Sequence, residues 1–418
     1  MLNTEQRAAA AAMADRLAAA LSVPPPPHGT HDDSPGSPRW REQSLSKGAA
    51  GIAILHGQRV RDGLAAPETV HAWLTRATRE NLTAAAGAGL WLGAPAIAFA
   101  LHSATPRSYP QARTRLDTGV TRLVETRLQA AHTRIDARQR PSQHEFDLTR
   151  GLTGLGAHLL HNGPDGDLLR GILAYLVRLT EPVDTHDEAG ASAPGWWTRD
   201  SSAYTRHPAF AAGEANFGMA HGCAGPLALL ALAMRRGVVV DGQAAAIERL
   251  CHWLEQWRQH GTAGPWWPER ITAEELHTGR PHQDGPLRPS WCYGTPGLAR
   301  AQQLAALALG DKARQHAAED ALAQCLADRA QLAHVTDPAL CHGWAGLLAT
   351  AWYAAGDAGT PRIADHLPHL LEALLTHARS SVPGDRPGLI EGSAGVAMIL
   401  TTLATGTSGN WPAILLLN

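Results

Sequence analysis

At 418 residues, 44% of them hydrophobic, the chain is long enough for several ordinary domains or for one large repeat-built domain with a continuous core. A formal net charge of −2 leaves no electrostatic footprint for nucleic acid or an acidic membrane surface. Five cysteines, an odd number at irregular spacings, argue against a secreted disulfide framework and for reduced thiols in a cytoplasmic protein.

The first predicted element is an Ala-rich helix over residues 3–22. Asp15 and Arg16 interrupt its apolar stretch and Glu5 precedes it, so it reads as a soluble helix and not as a signal peptide. A Pro-rich linker at about 23–43 follows. No run of about 18 uncharged apolar residues occurs, so the chain is not expected to be an integral membrane protein.

From there one pattern recurs: a polar or mixed loop, then G-x-x-G, then an apolar run. The copies are SLSKGAAGIAIL (44–55), GLWLGAPAIAFAL (89–101), DLTRGLTGLGAHLL (147–160), MAHGCAGPLALL (219–230), SWCYGTPGLARA (290–301), LCHGWAGLLATA (340–351) and LIEGSAGVAMIL (389–400). Ala96 replaces the second glycine of the second copy. Each apolar run is long enough for about three helical turns, and several are apolar nearly all round, which marks a buried helix. More amphipathic helices lie between them, as at 245–258 and 313–330, and little reads as strand. The first and last apolar runs are as apolar as the middle ones, whereas an open solenoid needs polar caps. The predicted fold is therefore all-α, a closed α/α toroid of seven inner and seven outer helices in a single domain over 1–418. Long insertions at about 161–217 and 259–289 are expected as loops, with their Trp and His residues lining or covering a site.

Equivalent positions in such a ring face the same end of its axis. Cys292 and Cys341 each lie two residues before their leading glycine, and His221 and His342 each lie one before theirs. Asp147 lies four before Gly151, so reactive side chains from four repeats converge on one mouth. Cys292, Cys341 and His342 together read as a Cys₂His zinc site, whereas Cys223, Cys251 and Cys325 lack such a context and are assigned to packing. Three protein ligands leave one tetrahedral position open, as in catalytic zinc sites. Two thiolates and a neutral imidazole cancel the charge of one Zn²⁺, so an incoming thiol is deprotonated yet stays nucleophilic. The site composition thus favours sulfur over water as nucleophile.

The motifs NFGMAHGCAGP (216–226), SWCYGTPG (290–297), LCHGWAG (340–346) and LIEGSAGVA (389–397) resemble those of the lanthionine synthetase C-like family, and the resemblance runs over nearly the whole chain. It implies a zinc-dependent cyclase that adds peptide Cys thiols to dehydroalanine or dehydrobutyrine, closing (methyl)lanthionine rings. It implies one zinc ion on Cys292, Cys341 and His342, with His221 as acid or base near the metal. Asp147 would orient His221 or hold it charged, Arg288 would stabilise the enolate oxygen, and Tyr293 and Trp291 are candidate substrate contacts, with packing of the site wall an equal alternative for Trp291. Arg288 paired with Asp147 is the plainer alternative for those two residues. The implied partners are a dehydrated precursor peptide and, in a modification complex, a dehydratase and a transporter that would bring the cytoplasmic protein to a membrane.

Three rival readings differ in what the sequence offers them. A prenyltransferase-like or terpene-cyclase-like toroid needs acidic diphosphate-binding clusters and an aromatic cavity, and neither is present. An enzyme adding glutathione or another small thiol to dehydroamino acids would use the same zinc site and stays open. A non-catalytic scaffold would have no use for intact Cys292, Cys341, His342 and His221.

Overall fold

The computed structural model describes residues 2–25, 42–163, 166–183, 193–199, 208–380 and 386–418. Most of the expected linker at 23–43 and parts of the expected insertion at 161–217 lie outside the described residues.

In chain order the helices are α1 (Thr4–Ala20), α2 (Ala49–Arg61), α3 (Pro67–Ala77), α4 (Ala94–Ala104), α5 (Pro110–Asp136), the short α6 (Gln143–Phe146), α7 (Leu152–Asn162) and α8 (Asp167–Leu179). After strand β1 (Glu214–Asn216) come α9 (Ala224–Arg235) and α10 (Gln243–Gln256), then β2 (Gln259–Gly261), β3 (Gly264–Trp266) and β4 (Arg270–Thr272). The chain continues with α11 (Ala273–Thr278), α12 (Thr295–Leu309), α13 (Lys312–Ala327), α14 (Arg329–Leu332), α15 (Trp344–Asp357), α16 (Leu367–Ser380) and α17 (Ser393–Thr405).

The apolar runs of the repeat are α2, α4, α7, α9, α12, α15 and α17, and each begins within two residues of its leading glycine. In α2 every residue from Ala49 to Arg59 is buried, and in α17 every residue from Ser393 to Leu403. A helix buried on all sides has no room for a polar face, which is why these runs carry Ala, Leu, Ile and Gly. The helices alternating with them keep one wet side. In α1 the buried residues are Ala10, Met13, Ala14, Leu17 and Ala18, a stripe with the spacing of an amphipathic helix.

The glycines of the repeat answer to close backbone approach. A Cβ at Gly51, Gly297, Gly346 or Gly395 would overlap the carbonyl oxygen six residues earlier, that of Leu45, Trp291, Leu340 or Leu389. The loop must fold back tightly over the first turn of its helix, and only a residue without a side chain permits it. Backbone hydrogen bonds then join one loop to another. Leu148 N–H donates to Ala220 O at 3.1 Å and Met219 N–H to Cys292 O at 3.0 Å; elsewhere Cys341 N–H donates to Ile390 O at 3.0 Å.

By contacts the chain forms two compact units. One comprises Met1–Arg122, Val335–Trp352 and Ala364–Ile414, and the other Leu123–His334, Tyr353–Ile363 and Leu415–Asn418. The second unit carries the strands. β1 pairs antiparallel with β4, setting Asn216 opposite Arg270, and β2 pairs antiparallel with β3 in a short hairpin.

Two expectations for the insertions need correction. Residues 161–217 are not loop throughout: α8 buries Leu169, Ile172, Leu173, Leu176 and Leu179 at helical spacing and is a covering helix like the others. The tryptophans of the insertions also do not cover a site. Trp196, Trp197, Trp266 and Trp267 are buried, with the Trp197 and Trp267 indoles donating to Ala212 O and Leu254 O. Trp196, Phe217, Trp253 and Trp257 pack as an aromatic cluster, with Trp196 edge-on to Trp253 at 5.5 Å. An indole buries more apolar area than any other side chain, so these residues give the irregular segments a core of their own.

Candidate metal centre and its neighbours

Among the described residues one group of Cys, His, Asp or Glu side chains can hold a metal ion: Cys292, Cys341 and His342, each offering one ligand atom and these atoms lying within 4.8 Å of one another. Each residue is delivered by a loop that ends at a repeat helix, Cys292 before α12 and Cys341-His342 before α15. Cys292 is buried and Cys341 half-buried. Ser290 Oγ lies 3.4 Å from Cys292 Sγ, and His342 Nε2 lies 3.8 Å from Asp337 Oδ2, a carboxylate whose other oxygen is fixed by Ala339 N–H at 2.8 Å. Two sulfurs and an imidazole are a soft, borderline donor set that suits Zn²⁺.

The other three cysteines differ in kind. Burial pushes the thiols of Cys223 and Cys325 up to about 12 and that of Cys251 up to about 11, so all three remain protonated at neutral pH. A thiol held neutral by an apolar surround is a packing residue, as their lack of a repeat context suggested.

Asp147 has no exposed surface. Its Oδ1 accepts from the backbone N–H groups of Arg150 and Gly151 at 2.7 and 2.8 Å, and its Oδ2 accepts from Thr149 Oγ1 at 2.9 Å and His221 Nδ1 at 2.8 Å. His144 Nδ1 stands 3.7 Å from the same oxygen. Burial alone would raise this carboxyl, but the nearby His144 ring and the hydrogen bonds from His221 and the Arg150 amide outweigh it and hold Asp147 well below the usual carboxylate range. The anion fixes the Nδ1 proton of His221 on its side and leaves Nε2 of the half-buried ring for other chemistry. The His221 carbonyl is held too, by Gln143 Nε2 at 3.1 Å.

Asp147 therefore pairs with His221, and the plainer pairing with Arg288 does not form. Arg288 is half-buried, and its charge, with that of Arg270, only partly offsets the burial that raises the Glu269 carboxyl. Trp291, an expected substrate contact, is 1% exposed and donates its indole N–H to Leu415 O at 2.9 Å. It braces the C-terminal segment, and its ring is inside the protein. Tyr293 is half-buried, with its hydroxyl oxygen accepting from Asn216 Nδ2 and Arg270 Nη2 at 2.8 and 3.1 Å. Sequence reasoning missed Asn216, Glu269 and Arg270, because they come from short strands and a turn that carry no periodic signal.

Among the described residues no helix is long and apolar enough to cross a membrane. A family model described as lanthionine synthetase C-like protein matches residues 39–416. The nisin biosynthesis protein NisC of Lactococcus lactis subsp. lactis is 24% identical over 207 residues, which is 49% of this chain. That match spans 48% of the relative, so the chain covers about half the length of that protein. Among solved structures, nisin cyclase superposes with a TM-score of 0.77 at 19% identity, over 90% of this chain and 93% of that one. This likeness shows the fold, an α/α toroid.

Proposed function

The chain belongs to the lanthionine synthetase C-like family, and from that premise we propose that it is a zinc-dependent lanthipeptide cyclase. Its reaction would be the addition of a peptide Cys thiol to dehydroalanine or dehydrobutyrine, forming the thioether of lanthionine or methyllanthionine. The observation that carries this reading is the grouping of Cys292, Cys341 and His342 as a three-ligand set. Bound there, Zn²⁺ would supply a Lewis acid that lowers the pKa of an incoming thiol, while two thiolates balance its charge and leave sulfur nucleophilic.

The remaining work falls to this chain's residues. The net reaction forms a bond from sulfur to the β-carbon and moves the thiol proton to the α-carbon, so atoms balance without a further reactant. His221, held through Nδ1 by Asp147, would take up that proton at Nε2 and return it to the enolate. Asp147 stays ionised and fixes the tautomer, the part a buried carboxylate plays beside a catalytic imidazole. Arg288 is the cation proposed to favour the enolate oxygen, and Tyr293 the proposed peptide contact. A dehydrated precursor peptide is the proposed substrate; a dehydratase and a transporter are the proposed companions, consistent with cytoplasmic placement at a membrane through partners.

The test is mass spectrometry after thiol alkylation of a dehydrated, Cys-containing peptide incubated with and without the protein. The reading predicts that the protein removes alkylatable thiols at unchanged peptide mass. Equal thiol labelling in both samples contradicts it. Unchanged labelling of the peptide cysteine, with the mass of glutathione gained once glutathione is added, assigns the small-thiol reaction instead.

A further inference from the structure

One network in the Leu123–His334 segment restricts what Tyr293 can do, and its consequence rests on the cyclase reading above. Asn216 and Arg270 face each other across the β1–β4 ladder, and both donate to the hydroxyl oxygen of Tyr293, at 2.8 and 3.1 Å. The orientation of the Asn216 amide is not free, because its Oδ1 accepts from Gly218 N–H at 2.9 Å, which turns Nδ2 toward the phenol. A guanidinium has no lone pair to offer, so Arg270 can only donate. Its carbon also lies 5.5 Å from the centroid of the Tyr293 ring, and its Nε lies 3.7 Å from Glu214 Oε1, a carboxylate with no exposed surface. The cation is thereby held between a ring and a buried counter-charge.

A phenol has two lone pairs and one O–H. Here both lone pairs are occupied, so the group can still give a hydrogen bond but cannot take one. We propose that Asn216 and Arg270 are positioning residues that make Tyr293 an obligate hydrogen-bond donor to the bound peptide, at the carbonyl oxygen of the dehydroamino acid itself. Glu214 keeps Arg270 at its post. As sulfur bonds to the β-carbon, negative charge develops on that carbonyl oxygen, and the hydrogen bond from Tyr293 strengthens where it is needed. The phenol keeps its proton throughout. The α-carbon is protonated from another group.

Asn216→Asp is the discriminating variant. One oxygen still accepts from Gly218, while the other accepts the phenol proton and turns it away from the peptide. Cyclisation kinetics on a dehydrated peptide should show Tyr293→Phe lowering kcat about tenfold or more with KM within about twofold. Asn216→Asp should lower kcat by a similar factor, yet by less than about twofold in the Tyr293→Phe background, since the hydroxyl it acts through is gone. Arg270→Lys, which keeps a donor, should recover most of the kcat lost in Arg270→Ala. This second pair provides the same cycle should Asn216→Asp fail to fold. Losses that multiply in the double variants, or an Arg270→Lys as poor as Arg270→Ala, overturn the assignment in favour of a structural role. Cyclisation by the wild type with unimpaired variants overturns this inference alone. A wild type that leaves the thiols free overturns the reading on which it rests.

Discussion

Asp147 and His221 form the pair whose removal is the most readable single change. Asp147→Asn keeps the shape but offers Nδ1 an amide in place of a carboxylate, so His221 loses the anion that fixes its tautomer. The expected result is a fall in kcat of about 100-fold or more with zinc content unchanged, read by steady-state kinetics beside metal analysis. A variant within threefold of wild type would remove Asp147 from the proton-handling pair. The same carboxyl also predicts an acid limb of stability. Its folded pKa is depressed, so its contribution is complete above the unfolded value near ~3.9 and is lost as pH falls through the lower folded value. Denaturant unfolding between about pH 5 and pH 2 should therefore show a steeper loss for the wild type than for Asp147→Asn. Parallel slopes would contradict the assignment. For the metal, Cys341→Ala should emerge from purification without zinc, whereas Cys251→Ala, at a neutral packing thiol, should keep it. Full zinc occupancy in Cys341→Ala would dissolve the proposed ligand set.

At the level of elements, the repeat was legible because its two signals are physically strict. The apolar runs must be long and unbroken to bury a helix on all sides, and the second glycine must lack a side chain where a carbonyl crosses it. Gly51→Ala puts a methyl onto Leu45 O and should cost about 1–3 kcal/mol in denaturant unfolding. Gly119→Ala, on α5 with open space around it, should instead be neutral or stabilising by up to about 1 kcal/mol. The opposite signs are the prediction, and equal effects would mean that glycine serves no packing purpose in the repeat. The insertions were read less well. α8 carries its signal openly in Leu169, Ile172, Leu173, Leu176 and Leu179, but the glycines and prolines that flank it give the segment the composition of a loop. The strands β1 and β4 are three residues each and pair across more than fifty intervening positions. No local pattern announces such a ladder. The clamp on Tyr293 was therefore invisible before the structure, although Tyr293 itself stood beside a proposed ligand. Trp291 shows the converse: adjacency to Cys292 leaves substrate contact and packing equally open, and only the indole's hydrogen bond to Leu415 O favours packing.

For the whole molecule, the fold persists against nisin cyclase at 19% identity, so the architecture depends on the pattern of small and apolar positions more than on particular residues. The family model covers residues 39–416, nearly all of the chain, so the proposed ligands and the His221–Asp147 pair belong to one architecture and not to an appended module. What the architecture does not encode is the peptide. Thiol addition is proposed to take place at a zinc centre built from Cys292, Cys341 and His342. Its most direct measurement is the rate at which alkylatable thiols disappear from a dehydrated, Cys-containing peptide, using protein stripped with a chelator, dialysed, and then given one equivalent of Zn²⁺. Stripping should lower the rate to that of the peptide alone, and Zn²⁺ should restore it. A metal-free protein that cyclises at the full rate would contradict that proposal.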